Sequence, residues 1–319
     1  MVNEKSSGGQ KVRLVEIDEA NEGQRLDNFL RTQLKGVPKT YIYRIIRKGE
    51  VRVNKGRIKP EYKLQSGDSV RIPPVRISES ADQLHIHQGF AHSLEMAILY
   101  EDDQLIVINK PSGLAVHGGS GLQFGLIEAL RKIRPQQRML ELVHRLDRDT
   151  SGCVMVAKKR SMLKFLHEAL RGDSVQKYYK ALVVGHWPNR KRLVDASLQK
   201  NVLKSGERMV TVTADGKRSK TEFQVCVHYP GYTLVEAKPI TGRTHQIRVH
   251  CRHAGFPILG DEKYGDEGAN KAAKQSGFKR LFLHAERLEI PRPDSAETLR
   301  ITAPLAPDLT AWLGQLEQK

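Results

Sequence analysis

The spacing of apolar residues changes along the chain and marks out its elements. Val12-Arg13-Leu14-Val15-Glu16-Ile17 nearly alternates and predicts a strand. From Gln24 the spacing turns helical, with Leu26, Phe29 and Leu30 at i, i+3 and i+4. Pro38-Lys39-Thr40 opens a second helix built on Ile42, Ile45 and Ile46. Lys48-Gly49 closes that helix with a cation in the last turn and a glycine beyond it. Val51-Arg52-Val53 alternates as a strand, Asn54-Lys55-Gly56 forms a tight turn, and Val70-Arg71-Ile72 is a further strand before Pro73-Pro74. These short elements make a small α/β module over residues 13–76. It is preceded by a flexible tail, residues 1–12, which carries Ser6-Ser7-Gly8-Gly9 and no apolar period.

Residues 77–95 are polar and aperiodic and read as a linker. From Met96 onward strand-like blocks recur: Ile98-Leu99-Tyr100, Leu105 to Ile108, Val154 to Ala157, Ala181 to Val184, Phe223 to Val227, Thr233 to Val235 and Leu281 to Leu283. Helical spacing fits Leu122 to Ile133, Ser161 to Arg171 and Arg243 to His253. Strands outnumber helices, and tight turns such as Pro230-Gly231 join neighbours. Residues 96–319 therefore predict an α+β domain, a mixed, mostly antiparallel sheet flanked by helices.

Charge adds a partner class. The chain has 319 residues with 53 Lys and Arg against 36 Asp and Glu, a formal net charge of +17. Residues 1–78 hold 17 of those cations against 9 acids, almost half the excess in a quarter of the length. A polyanion, nucleic acid or an anionic membrane surface, is the partner such a balance favours. No apolar run approaches the ~18 residues of a membrane span, and Met1 to Lys11 lacks the apolar segment of a secretory signal. Cys153, Cys226 and Cys251 are far apart, form no CxxC pair, and are expected as buried thiols in a reducing cytoplasm. Within the module, Arg44, Arg47, Lys48 and Arg52 fall on or just after the second helix, and Lys55 and Arg57 follow on the turn. That grouping suits phosphate contact.

The densest chemistry is His144-Arg145-Leu146-Asp147-Arg148-Asp149-Thr150-Ser151-Gly152. Two carboxylates, two arginines and a histidine precede small residues suited to an exposed turn. The residues themselves leave four readings open: a glycosidase-like pair of Asp147 and Asp149, a magnesium site, one catalytic carboxylate with cationic partners, and a charged loop with internal salt bridges. His85, His87 and His92 lack supporting ligands and are expected as solvated linker residues.

Gln24-Arg25-Leu26-Asp27, Val51-Arg52-Val53-Asn54 and Gly67-Asp68 resemble the S4-type RNA-binding domain over residues 24–72. The run His144 to Gly152 resembles the signature of the RluA-type pseudouridine synthases. Further blocks agree in order: Asn109-Lys110-Pro111-Ser112-Gly113, Val116 to Gly119, Lys177 to Leu182, Thr241 to His250, Pro257 to Asp261 with Tyr264-Gly265, and Leu283-His284-Ala285. Together these span about residues 96–303.

The resemblance implies a pseudouridine synthase catalytic fold behind an S4-type domain, needing no cofactor and no metal. It implies Asp147 as the catalytic carboxylate and Arg248 as its cationic partner. Tyr179, rather than adjacent Tyr178, is implied as the residue that stacks on the target base and aids proton transfer. Arg145 is implied in base flipping, with Lys110 and His245 on the substrate side. Asp149 is expected to order the turn, and His245, His250 and His253 are expected in packing or loop hydrogen bonds. The implied activity is isomerisation of uridine to pseudouridine in large-subunit ribosomal RNA or its precursor particle; a monomer is expected because no leftover apolar stripe points to an interface. The alternatives are a paralogue with other target uridines and a non-catalytic RNA-binding assembly protein.

Overall fold

The helical and alternating apolar positions of the first module meet in one core. Our computed structural model describes residues 12–19, 21–34, 37, 39–75, 86–118, 124–202 and 208–318. The chain divides into two compact units, Met1–His85 and Ile86–Lys319. The expected tail apart from Val12, Pro38, Gly119, and residues 77–85 of the expected linker with His85 lie outside the described residues.

In the first unit β1 (Arg13–Glu16), α1 (Leu26–Gln33), α2 (Lys39–Arg47), β2 (Arg52–Val53) and β3 (Ser69–Ile72) follow in order. The strands form an antiparallel sheet, β1-β3-β2. Leu26, Phe29 and Leu30 of α1 pack with Ile42, Ile45 and Ile46 of α2 over Val53, Val70 and Ile72. Gly49 ends α2 at φ +72, where a side chain would run into the stem of Arg57.

The second unit begins with α3 (Gln88–Met96), inside the stretch expected as linker. The Nδ1 atom of His87 accepts the Gly89 N–H at 3.2 Å as the helix cap. Only Leu94 of α3 is buried, so the segment has no apolar period to read. Then come β4 (Ile98–Glu101), β5 (Leu105–Lys110), α4 (Leu126–Ile133), β6 (Glu141–Leu142), β7 (Ser151–Ala157), α5 (Arg160–Arg171), β8 (Gln176–Val184) and β9 (Leu193–Asp195). The hairpin β10 (Leu198–Val202) and β11 (Arg208–Val212) follows, then β12 (Lys220–Tyr229), β13 (Tyr232–Pro239), α6 (Gln246–His253), α7 (Glu267–Gln275), β14 (Leu283–Pro291), β15 (Thr298–Thr302) and α8 (Pro307–Glu317).

The main sheet runs β4-β5-β7-β14-β8-β13-β12-β9, with β15 on β14 and β6 on β7. Every pairing is antiparallel except β14 with β7, where His284 and Ala285 face Ser151 and Gly152. In the middle of the sheet both faces are covered. Ile106, Ile108, Val154 and Val156 enter one core with α4, α6 and α8. Leu105, Val107, Cys153 and Met155 enter the other with α5. Strands buried on both sides read as unbroken apolar runs, which is why β5 and β7 stand out in the sequence.

One cysteine differs from expectation. Cys153 and Cys251 are buried, but Cys226 is exposed. It occupies the β-bulge between Val225 and Val227 of β12, and the ammonium of Lys180 lies 3.3 Å from its sulfur.

Candidate active site

The charged run 143–150 becomes the loop between β6 and β7, and it is tied down at several points. The ring of His144 accepts the Met155 N–H at 3.1 Å. Burial, helped by the charge of Lys177, lowers the protonation of this imidazole to about 3, so it is neutral. Thr150 N–H closes a turn on the Asp147 carbonyl at 3.2 Å. Gly152 follows at φ +107, and a side chain there would lie 2.2 Å from the Ala285 carbonyl. Only glycine lets β7 and β14 approach as they do.

Asn109 to Gly113 braces the same loop. Lys110 is fully buried, and its ammonium donates to the carbonyls of Pro111 (2.9 Å), Leu114 (2.7 Å) and Arg148 (3.0 Å). Gly113 N–H also donates to Arg148 O, and Ser112 Oγ to Asp149 O. An ammonium has three donors, and all three are used inside. Lys110, expected on the substrate side, instead turns its ammonium onto backbone carbonyls of the interior. It shapes the loop from below. Asp149 is partly exposed and its carboxylate meets neighbouring Arg148 at 3.1 Å.

Arg248 reaches the loop from α6. Its Nε and Nη2 atoms donate to Asp261 Oδ2 (2.7 Å) and Oδ1 (2.8 Å), and Nη1 donates to Asp147 Oδ2 (3.1 Å). The side chains of Asp261, Arg248 and Asp147 are 0%, 6% and 26% exposed, so the chain of charge runs from the interior to a carboxylate open to solvent. Burial disfavours charge on the inner pair, but their fork-to-fork attraction outweighs it. Asp261 is held below the usual carboxylate range and Arg248 above the usual guanidinium range. Asp261 Oδ1 also accepts the N–H groups of Lys263 and Tyr264. The inner carboxylate is saturated and the outer one retains acceptor capacity.

Strand alternation separates the two tyrosines of β8. Tyr178 lies under the guanidinium of Arg287, 3.9 Å from the ring centroid. Tyr179 points into the other face beside Ala237 and Ala285, its partners on β13 and β14. There it is 9% exposed and forms part of the main core. Burial and the charge of Asp147 push the Tyr179 phenol up, so it stays protonated at neutral pH.

His245 precedes α6 in the left-handed region, φ 54 and ψ 18, so the helix begins at Gln246 rather than at Arg243. Gln246 Oε1 accepts from Thr241 Oγ1 and Arg243 N–H and holds that turn. The Nδ1 atom of His245 lies 2.8 Å from the Tyr264 hydroxyl, and Nε2 lies 3.9 Å from Asp147 Oδ2. His250 is buried on Thr221 Oγ1 and the Ala196 carbonyl, while His253 is exposed, so the three histidines do not converge. Among the described residues no group of three His, Cys, Asp or Glu side chains could hold a metal.

Asp147, Arg248, Tyr179 and His245 thus gather around one loop, with Arg145 exposed two residues before Asp147. Arg44, Arg47, Lys48, Arg52, Lys55 and Arg57 belong to the first unit. All six are exposed, and none has a carboxylate within 4.0 Å among the described residues. Asp261, Tyr264 and Lys177 carry no role in the sequence reading. The sequence signal for Asp261 and Tyr264 was their place in the block Pro257 to Asp261 with Tyr264-Gly265.

Comparison with known proteins agrees with this organisation. A family model for RNA pseudouridylate synthase matches residues 104–253, and one for the S4 domain matches residues 24–70. The chain is 57% identical over 311 residues to ribosomal large subunit pseudouridine synthase C of Pasteurella multocida (strain Pm70), covering 97% of this chain and 95% of that one. It is 56% identical over 308 residues to the Escherichia coli (strain K12) protein of the same name, covering 96% and 97%. Among solved structures, human RNA pseudouridylate synthase domain containing 4 aligns with a TM-score of 0.60 and 29% identity, over 72% of this chain and 96% of that one.

Proposed function

The chain belongs to the RluA-type RNA pseudouridine synthases, and from that we propose that it isomerises particular uridines of large-subunit ribosomal RNA with Asp147 as the catalytic carboxylate. The ribosomal substrate is supported by the near full-length similarity to ribosomal large subunit pseudouridine synthase C. The observation that carries the catalytic assignment is the graded charge chain. Asp261 takes Nε and Nη2 of Arg248 in the interior, and Nη1 holds a solvent-facing Asp147.

Pseudouridine formation breaks the N1–C1′ bond of uridine, turns the base and rejoins C1′ to C5. The C5 proton leaves and N1 gains one, with no net oxidation. A carboxylate serves each route to that exchange, by attack at C1′ or C6 or by supporting a glycal-type intermediate. Arg248 fixes the carboxylate's orientation through a charge-assisted bond. Tyr179 offers an aromatic face and an O–H donor, since its burial opposes the phenolate. Arg145 is suited to hold open the place of a uridine drawn from its stack. The six exposed cations of the first unit supply phosphate contacts, which position the RNA without reading its bases. A cytoplasmic setting is supported by three free cysteines. A monomer is supported by the few exposed large apolar residues among the described ones, which fall on four segments: Val12 with Leu14, Met96, Leu193 and Val227.

The test is pseudouridine mapping of ribosomal RNA from cells with and without this gene, complemented by wild type or by Asp147→Asn. Loss of defined large-subunit pseudouridines, restored by wild type alone, is the expected result. Purified Asp147→Asn should bind RNA within a few-fold of wild type. Turnover by that variant would overturn the assignment, and intact ribosomal modification without the gene would overturn the substrate.

A further inference from the structure

We propose that Tyr264 is a positioning residue that fixes His245 in its Nε2–H tautomer, so that an imidazole N–H, not a lone pair, faces the carboxylate of Asp147. The inference rests on Asp147 being the catalytic group and adds a second donor beside it.

The proton count at the Tyr264 hydroxyl carries the inference. Tyr264 is 3% exposed. Its oxygen accepts the Val210 N–H from β11 at 3.0 Å and lies 2.8 Å from His245 Nδ1. Among the described residues no other acceptor bonds that hydroxyl. If Nδ1 carried the imidazole proton, the ring and the backbone would both donate to the phenol oxygen. The phenol's own proton would then be buried without an acceptor. With the hydroxyl donating to Nδ1, every group is satisfied, and the neutral imidazole carries its proton on Nε2. Burial lowers the protonation of His245 and favours that neutral form.

Placement makes the tautomer matter. Nε2 is 3.9 Å from Asp147 Oδ2, the same oxygen that accepts from Arg248 Nη1. The opposite tautomer would set a lone pair against a carboxylate. His245 also stands in the left-handed region, uncommon for a residue with a side chain. The hydrogen bond and an edge-on contact with the Tyr264 ring hold it there. Tyr264 is itself anchored to the charge chain, its N–H on Asp261 and its ring 5.1 Å from the Arg248 guanidinium carbon. One tyrosine thereby sets both neighbours of the catalytic carboxylate and joins them to the β10–β11 hairpin.

The experiment uses the full chain. Long-range proton–nitrogen spectra of histidine-labelled protein, with His245 assigned by its loss in His245→Gln, should show the Nε2–H tautomer in wild type. In Tyr264→Phe they should show a mixture. Single-turnover pseudouridine formation by Tyr264→Phe should be about tenfold slower with RNA affinity unchanged. His245→Gln, which keeps a donor near the Nε2 position, should turn over about tenfold faster than His245→Asn, whose shorter amide ends at the Nδ1 position. That pair decides the matter if Tyr264→Phe does not fold. An Nδ1–H tautomer in wild type, a slow Tyr264→Phe with its tautomer unchanged, or equal rates for the Gln and Asn variants would overturn the proposal. An active Asp147→Asn would instead defeat the catalytic assignment and leave the tautomer result standing.

Discussion

Arg248→Lys should separate catalysis from folding. The guanidinium spends Nε and Nη2 on Asp261 and Nη1 on Asp147. A lysine keeps the charge but concentrates it at one atom, which cannot span both carboxylates. The side chain of Asp261 is 0% exposed and that of Asp147 is 26% exposed. An unpartnered carboxylate costs more where water cannot reach it, so the ammonium will settle on Asp261. Asp147 then loses its charged donor, a contact worth about 1.5–3 kcal/mol. If that contact persists in the transition state, its loss slows the chemical step by roughly 10- to 150-fold. The buried pair survives, and stability should fall by only about 1–2 kcal/mol, a shift in Tm of a few degrees for a unit of this size. Arg248→Met is the contrast. It strands Asp261 and should cost about 3–5 kcal/mol, with a Tm lower by roughly 6–20 °C. The assay is single-turnover release of tritium from C5-labelled uridine in RNA, with thermal melting of the same samples. A Lys variant at wild-type rate would refute the role of the Nη1 contact. A Lys variant that melts like the Met variant would refute the assignment of the ammonium to Asp261.

Two further predictions concern the exposed cations of the first unit and the buried lysine. Replacing Arg44, Arg47 and Lys48 by Gln should weaken RNA binding and reduce the slope of log affinity against log salt by about 2, as roughly 0.7 per lost phosphate contact requires. An unchanged slope would show that these side chains do not grip phosphate. Lys110 should make stability pH-dependent in a defined window. Burial lowers it to about 7, below the 10.5 of the unfolded chain, so the unfolded state binds more protons between those values. Its contribution to stability therefore rises with pH from about 7 to 10.5. Chemical denaturation at pH 7 and pH 9 should show wild type gaining about 2 kcal/mol more than Lys110→Met across that interval. Parallel changes in the two proteins would contradict it.

Much of the architecture was legible because the first unit obeys local rules. The periods of Leu26, Phe29, Leu30 and of Ile42, Ile45, Ile46 name the faces that form its core. The runs of β5 and β7 announce strands covered on both sides. Other elements escaped for physical reasons. Only Leu94 of α3 and Ala273 of α7 are buried, so neither helix has an apolar stripe. α8, by contrast, carries Leu309, Trp312, Leu313 and Leu316 at helical spacing, an apolar stripe present in the sequence itself.

The same division holds at the site. Sequence alone determined the residue types and their order, while the extension of β8 back to Gln176 is what sets Tyr178 and Tyr179 on opposite faces. It determined the exposed cations of the first unit, because the turn and helix faces that carry them are set by neighbours in the chain. Tertiary structure decided which charges meet. Lys110 reads as a loop cation until three carbonyls, one of them 38 residues away, are seen to consume it. Arg248 reads as a partner for Asp147 alone until Asp261 takes two of its three bonds. Burial and long-range hydrogen bonding set the worth of a charge, and both arise only when segments distant in sequence close around it.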